Sequence, residues 1–166
     1  MNVIFLDIDG PLVNLRAHVA FNGKRQIIRD FDPVGLGIVN RLCEESGAKI
    51  VISSTWRLFD GRSRREVLGK HIDNPNSLFD LREHLCYKGL TNNFHEDWKT
   101  NLVKMSSTRG MEIRDWLDDH SNISHWCAID DCYDFADDMM PNVVLVNSDD
   151  GISYSNYIKA RELLKD

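Results

Sequence analysis

Four continuous apolar, β-rich runs, each ending abruptly in polar residues, constrain this chain more than any other feature. They are Val3-Ile4-Phe5-Leu6 before Asp7, Ile50-Val51-Ile52 before Ser53-Ser54-Thr55, Trp126-Cys127-Ala128-Ile129 before Asp130-Asp131, and Val143-Val144-Leu145-Val146 before Asn147-Ser148. Runs without polar alternation describe strands buried on both faces, the habit of parallel sheets. Segments with helical spacing lie between them. Asp32-Pro33 offers an N-cap and a proline at the first helical position, and Gly47 offers a stop. Within that span Val34, Ile38, Val39 and Leu42 are expected to share one face. Another helix is expected from Ser107-Thr108, with Ile113, Trp116 and Leu117 at i, i+3 and i+4. A last one, from about Ser155, is expected to bury Ile158, Leu163 and Leu164. Between them the chain predicts a helix around Ser77–Leu85 and a further strand over Gly89–Phe94. Buried strands alternating with amphipathic helices predict an α/β fold, a doubly wound parallel sheet with helices on both faces.

The 166 residues make one domain, expected to span 1–166, with no repeat or linker to divide it. No apolar run approaches the roughly 20 residues that span a bilayer. The opening MNVIFLDIDG lacks a basic region and meets acids at Asp7 and Asp9, so it does not read as a signal peptide. Cys43, Cys86, Cys127 and Cys132 show neither CxxC nor zinc-ligand spacing and are expected to be reduced thiols of a cytoplasmic protein. A net charge of −6 argues against a protein that coats long nucleic acid, although a local pocket can still take one terminal phosphate.

In parallel sheets, ligands bind beyond the carboxyl ends of the strands. The polar residues of this chain gather at those ends. In Asp7-Ile8-Asp9-Gly10, two carboxylates stand one residue apart just past a buried strand, a costly arrangement unless a positive charge joins them. Mg²⁺ suits such a place, because it takes hard oxygen ligands and leaves room for phosphate and water. A solvated turn would explain this motif equally well if it stood alone. An EF-hand would need an acid upstream and a closing Glu that are not present. Asp130-Asp131 adds a second acidic pair at another strand end, whereas Asp137 and Asp138 read as a solvated face. Ser53, Ser54 and Thr55 offer hydroxyls for phosphate oxygens, and Arg109, at a helix start, offers a cation.

This ordered set resembles the haloacid dehalogenase (HAD) superfamily of phosphohydrolases. Phe5-Leu6-Asp7-Ile8-Asp9-Gly10 matches the family's first motif, Ile50-Val51-Ile52-Ser53 its second (with Ser54 as another register), and Ala128-Ile129-Asp130-Asp131 its fourth. The third motif is usually a lysine; here Arg109 holds that place and Lys104 is the fallback. Ser53-Ser54-Thr55-Trp56-Arg57, Arg109-Gly110-Met111-Glu112-Ile113 with Trp116-Leu117, and Gly151-Ile152 look like a small HAD subgroup associated with RNA-repair and phage-type proteins.

The resemblance implies Asp7 as nucleophile and Asp9 as acid and base. It implies Mg²⁺ held by Asp7, Asp130 and the Asp9 carbonyl, with Asp131 orienting a bound water. Phosphate would be held by Ser53 or Ser54, by Arg109, and by backbone N–H groups around Ile8 and Gly10. Only about forty residues separate Asp9 from Ser53, so no large cap is expected there. The 58–108 segment could carry a small lid or substrate loop. Arg57, Arg62, Arg64, Arg65 and Lys70, beside Trp56, form a basic concentration that could meet nucleic acid or simply be a solvated face. The expected partner is a phosphorylated small molecule or a nucleic-acid end such as a 3′-phosphate, with no membrane and no obligate protein partner. A small-metabolite phosphatase and a non-catalytic phosphate-binding HAD module are the alternatives.

Overall fold

The computed structural model of the chain describes residues 1–21, 31–69, 74, 76–102 and 107–165. Among these residues five strands form one all-parallel sheet in the order β3-β2-β1-β4-β5. They are β1 (Asn2–Leu6), β2 (Lys49–Ile52), β3 (Phe94–Lys99), β4 (His125–Asp130) and β5 (Val143–Leu145). Among the described residues six helices accompany them: α1 (Leu15–Ala20), α2 (Pro33–Ser46), α3 (Arg64–Leu68), α4 (Leu81–Tyr87), α5 (Arg109–Asp118) and α6 (Tyr154–Leu163). A 3₁₀ turn, Thr55–Phe59, follows β2 directly. Among the described residues no helix is long and apolar enough to cross a membrane.

The two faces of β1 show why the sheet is doubly wound. Ile4 and Leu6 join Val39, Leu42, Leu81, Leu85, Ala160 and Leu164 in a core under α2, α4 and α6. Val3 and Phe5 join Ile113, Trp116, Ala128 and Val143 in a smaller core under α5. Phe5 meets the Trp116 ring edge-on at a centroid distance of 5.2 Å. Past its first residue or two, each central strand therefore buries every side chain, which is why the runs carry no polar alternation.

Local signals set the helix ends. Asp32 caps α2 through Oδ1, which accepts from the Val34 N–H at 3.0 Å. Gly47 closes that helix in the left-handed region at φ 66°, its N–H donating to the Cys43 carbonyl. Within α2, however, Leu36, Val39, Leu42 and Cys43 face the core, and Val34 is exposed. The helix expected around Ser77–Leu85 runs instead over Leu81–Tyr87, because the Asp80 carboxylate accepts from Glu83 N–H and fixes the start there. The expected Gly89–Phe94 strand lies later, at Phe94–Lys99: Gly89 ends α4 at φ 105°, and the chain pairs with β2 only from Phe94. α6 starts at Tyr154 behind a Ser153–Asn156 capping box. It buries Ala160 and Leu164, while Ile158 and Leu163 are only half-buried.

Within 58–108, α4 and β3 belong to the body of the domain. Residues 62–64 and 77–79 are drawn together, with Phe79 N–H donating to the Arg62 carbonyl and Arg64 N–H to that of Ser77. Lys70 and Lys104 lie outside the described residues.

The loop after β1 is tied down by a buried polar knot. Asn14 donates from Nδ2 to Asp32 at 2.9 Å, Arg16 pairs with the same carboxylate, and Asn14 Oδ1 accepts from Ala17 N–H. Gly151, at φ 70°, packs on this knot so closely that a Cβ would lie 2.2 Å from Asn14 Nδ2. Gly151→Ala is therefore expected to cost about 2–4 kcal/mol, combining left-handed strain with overpacking. Gly47→Ala, where a Cβ would meet nothing within 4 Å, should cost only about 1–2 kcal/mol from the backbone. Urea denaturation of the two variants side by side checks the difference.

Candidate active site

Strand register puts the polar residues on one line. Leu6 pairs with Ile52 on one side and Ile129 on the other, so Asp7, Ser53 and Asp130 reach the same level. Ile52 also pairs with Lys99, which adds Thr100 to the line. The ladder runs on through these residues: Asp7 N–H donates to the Ile129 carbonyl, Ser53 N–H to Leu6, and Thr100 N–H to Ile52, at 3.0–3.1 Å. All four are buried, Asp7 the least so at 7% exposure.

Asp7, Asp130 and Asp131 each offer a carboxylate oxygen, and these oxygens lie within 4.8 Å of one another. Gly10 makes that approach possible. It sits at φ 84°, and a Cβ there would lie 2.6 Å from the Asp131 carboxylate. Its N–H donates to the Val13 carbonyl at 2.9 Å, while the Ile8 carbonyl accepts from both Leu12 and Val13. What Gly10 contributes is thus space for Asp131, its own amide being engaged inside the loop. Asp9 points elsewhere: its Oδ2 accepts from the Trp56 indole N–H at 2.9 Å.

Burial is the main force on the acidic trio. It raises the Asp7 carboxyl, against the opposing pull of the Arg109 charge and a hydrogen bond from the Ser54 hydroxyl. It also pushes Asp130 up to about 7, with the Asp7 charge adding to the effect and Arg109 countering it. Asp131 is raised chiefly by its partial burial. Three acids so placed resist ionisation until a cation joins them.

Arg109 is one such cation. Thr108 caps α5 by accepting from Met111 N–H at 3.2 Å. Gly110 lets the helix start press against the loop after β4, since a Cβ there would lie 3.0 Å from the Phe135 Cα. The guanidinium thereby arrives with Nε 3.1 Å from Asp130 Oδ2 and one terminal nitrogen 3.6 Å from Asp7 Oδ1. A single guanidinium cannot balance three carboxylates. Hard oxygen ligands in that surplus fit a divalent cation such as Mg²⁺.

The two candidate serines differ. Ser54 caps the 3₁₀ turn, accepting from Trp56 N–H at 3.4 Å, and its hydroxyl reaches Asp7. Ser53 Oγ is buried and finds no hydrogen-bond partner among the described residues, and Thr100 Oγ1 shares that condition. Thr100 follows an edge strand with no apolar run, so the sequence held no signal for it. Arg57, grouped in the sequence with the surface arginines, is instead buried and paired with Glu112 at 2.7 Å. Arg62 and Arg65 are exposed as expected, Arg62 lying over the Phe59 ring at 5.7 Å. His120 is half-buried, its ring stacked on that of Trp116. Asp138 is exposed and pairs with Arg114, as a solvated acid would.

A parallel, doubly wound sheet with acids ending two adjacent central strands is the HAD-like arrangement. The chain belongs to the family described as the HAD domain in Swiss Army Knife RNA repair proteins, whose model matches residues 3–156. No curated protein and no solved structure matches it. Membership places the chain among the HAD hydrolases at the family level.

The direction of the Asp130 shift gives a test of cation binding. Its folded value of about 7 lies above the ordinary 3.8. The metal-free fold thus holds a proton that the unfolded chain has lost, and this group's contribution to stability declines as pH rises through that interval. A cation that binds ionised carboxylates has the opposite trend. Millimolar Mg²⁺ should therefore raise the melting temperature more at about pH 8 than at about pH 6. Asp130→Asn should abolish the Mg²⁺-dependent rise, as differential scanning fluorimetry would show.

Proposed function

We propose that the protein is a Mg²⁺-dependent phosphomonoester hydrolase that works through an aspartyl-phosphate on Asp7. The observation that carries this reading is the convergence of Asp7, Asp130 and Asp131 within 4.8 Å, with Arg109 in contact with two of them. Asp7, Asp130 and Asp131 are the residues that would hold Mg²⁺, which would offset the charge between carboxylate nucleophile and phosphate dianion.

In the first step an Asp7 oxygen attacks phosphorus, a P–O bond forms, and the bond to the leaving oxygen breaks. Asp9 gives that oxygen its proton. In the second step Asp9 takes a proton from water, whose oxygen attacks phosphorus and returns Asp7 to a free carboxylate. The Trp56 indole holds the Asp9 side chain for both transfers. Arg109, with the hydroxyls of Ser53 and Ser54, would hold the phosphoryl oxygens.

A nucleic-acid end, such as a 3′-phosphate, is the substrate class this reading favours, with nucleotides beside it. The family's name refers to RNA repair proteins. The 3₁₀ turn that carries Trp56 also exposes Leu58 and Phe59, and the Arg62 guanidinium lies over the Phe59 ring. An exposed ring with a cation over it suits a nucleobase and its backbone. Four free cysteines, two of them buried, suit a reducing compartment such as the cytoplasm.

Hydrolysis of an aryl phosphate should require Mg²⁺ and fall by about three orders of magnitude or more in Asp7→Asn. Turnover that survives the substitution would contradict the reading. In a substrate panel, 3′-phosphorylated oligonucleotides should be hydrolysed faster than sugar phosphates, and the reverse preference would remove the nucleic-acid assignment. Trp56→Phe, which removes the indole N–H from Asp9 together with part of the ring that packs on Phe31 and His84, should lower kcat by about tenfold, the value of one hydrogen bond to a charged group.

A further inference from the structure

We propose that Glu112, a buried acid outside the carboxylate trio, is a positioning residue that sets the geometry of the phosphate-holding groups through Arg57 and Arg109. The inference rests on the reading that Arg109 and the Ser53-Ser54 segment hold phosphate.

Glu112 lies one turn into α5 and is 4% exposed. Both of its oxygens are used. Oε1 accepts from the Ser107 hydroxyl at 3.0 Å, just before the helix. Oε2 accepts from an Arg57 terminal nitrogen at 2.7 Å and lies 3.5 Å from an Arg109 terminal nitrogen. Arg57 is equally buried, and its other terminal nitrogen donates to the Ser54 carbonyl at 2.7 Å. One carboxylate thus joins the segment before α5, the first residue of α5 and the turn after β2.

Each branch of this network leads to Asp7. Through Arg57 it fixes Ser54, whose hydroxyl reaches Asp7. Through Arg109 it engages one terminal nitrogen of a guanidinium whose other two nitrogens face Asp7 and Asp130. A planar guanidinium engaged at all three nitrogens has a defined orientation, which the two acids of the trio alone would not give it. Without that hold, Arg109 is left to the pull of the acidic trio alone. Buried ion pairs add little net stability over apolar residues of the same volume, so stability alone does not account for this one.

Lost orientation and lost charge at Glu112 act on phosphate binding with opposite signs. Neutralising Glu112 leaves Arg57 and Arg109 with less negative charge around them, which by charge alone would tighten phosphate binding. Loss of orientation would weaken it. Inorganic phosphate, as a competitive inhibitor of aryl phosphate hydrolysis with Mg²⁺ present, is the probe. In Glu112→Gln its inhibition constant and the KM should both rise about tenfold, the effect of losing one charge-assisted contact. Glu112→Asp should recover part of the loss. An unchanged or lower inhibition constant in folded Glu112→Gln would overturn the proposal. A purely structural role would lower the melting temperature and the active fraction while leaving KM and the inhibition constant in place.

If Glu112→Gln does not fold, Arg57→Lys keeps the charge and gives up one of the two arginine contacts. It should raise the same constants two- to fivefold, about half the tenfold effect on a logarithmic scale, and unchanged constants would overturn the proposal. Phosphate affinity by calorimetry in Mg²⁺ supplies a readout independent of turnover. A wild type that binds phosphate, more tightly than Glu112→Gln, but hydrolyses nothing would end the hydrolase reading and keep this one.

Discussion

Three carboxylates brought to one point, two of them buried, form the constraint around which the rest of this structure is arranged. Their oxygens converge within 4.8 Å. Like charges at that separation repel by about 3 kcal/mol per pair at an effective dielectric of about 20. Desolvation adds to the cost, and the raised values of Asp7, Asp130 and Asp131 express both. A fold accepts this only where its backbone holds the groups in place. Here Asp7 and Asp130 are extensions of adjacent strands, fixed by the same ladder of hydrogen bonds that builds the sheet. Asp131 is admitted by the missing side chain of Gly10.

The neighbouring groups fall into place around that centre. Arg109 is delivered by a helix start that can approach the β4 loop because Gly110 has no side chain. Its charge lowers the cost of the trio without removing it, which leaves a surplus of negative charge that a divalent cation would offset. Asp9 stands apart with its oxygen held by Trp56. Two acids of one motif thus have different surroundings. One lies in a charged, desolvated cluster and the other accepts from an indole, a division that suits a nucleophile beside a proton carrier.

The sequence made the central strands legible because they are buried on both faces, and β1, β2, β4 and β5 lie within a residue or two of the apolar runs. The polar residues ending those runs were legible for the same reason: parallel register turns strand ends into neighbours. β3 was not, since Phe-His-Glu-Asp-Trp-Lys is an edge strand with charged residues and no apolar run. Thr100 was missed with it. The contacts that refine the site were equally hidden. Trp56 reaches Asp9 across 47 positions and Arg57 reaches Glu112 across 55. Local pattern carries no information about such pairs, and an arginine next to a tryptophan reads as surface until the fold buries it.

The proposed mechanism requires that the Asp7 carboxylate itself becomes phosphorylated. Borohydride reduces an acyl-phosphate to the alcohol, so quenching the protein during turnover should convert Asp7 to homoserine, located by peptide mass spectrometry. That conversion is expected at Asp7 alone, and only when both Mg²⁺ and a hydrolysable substrate are present. Turnover with no reduced Asp7, or with the label at Asp9, Asp130 or Asp131 instead, would contradict it.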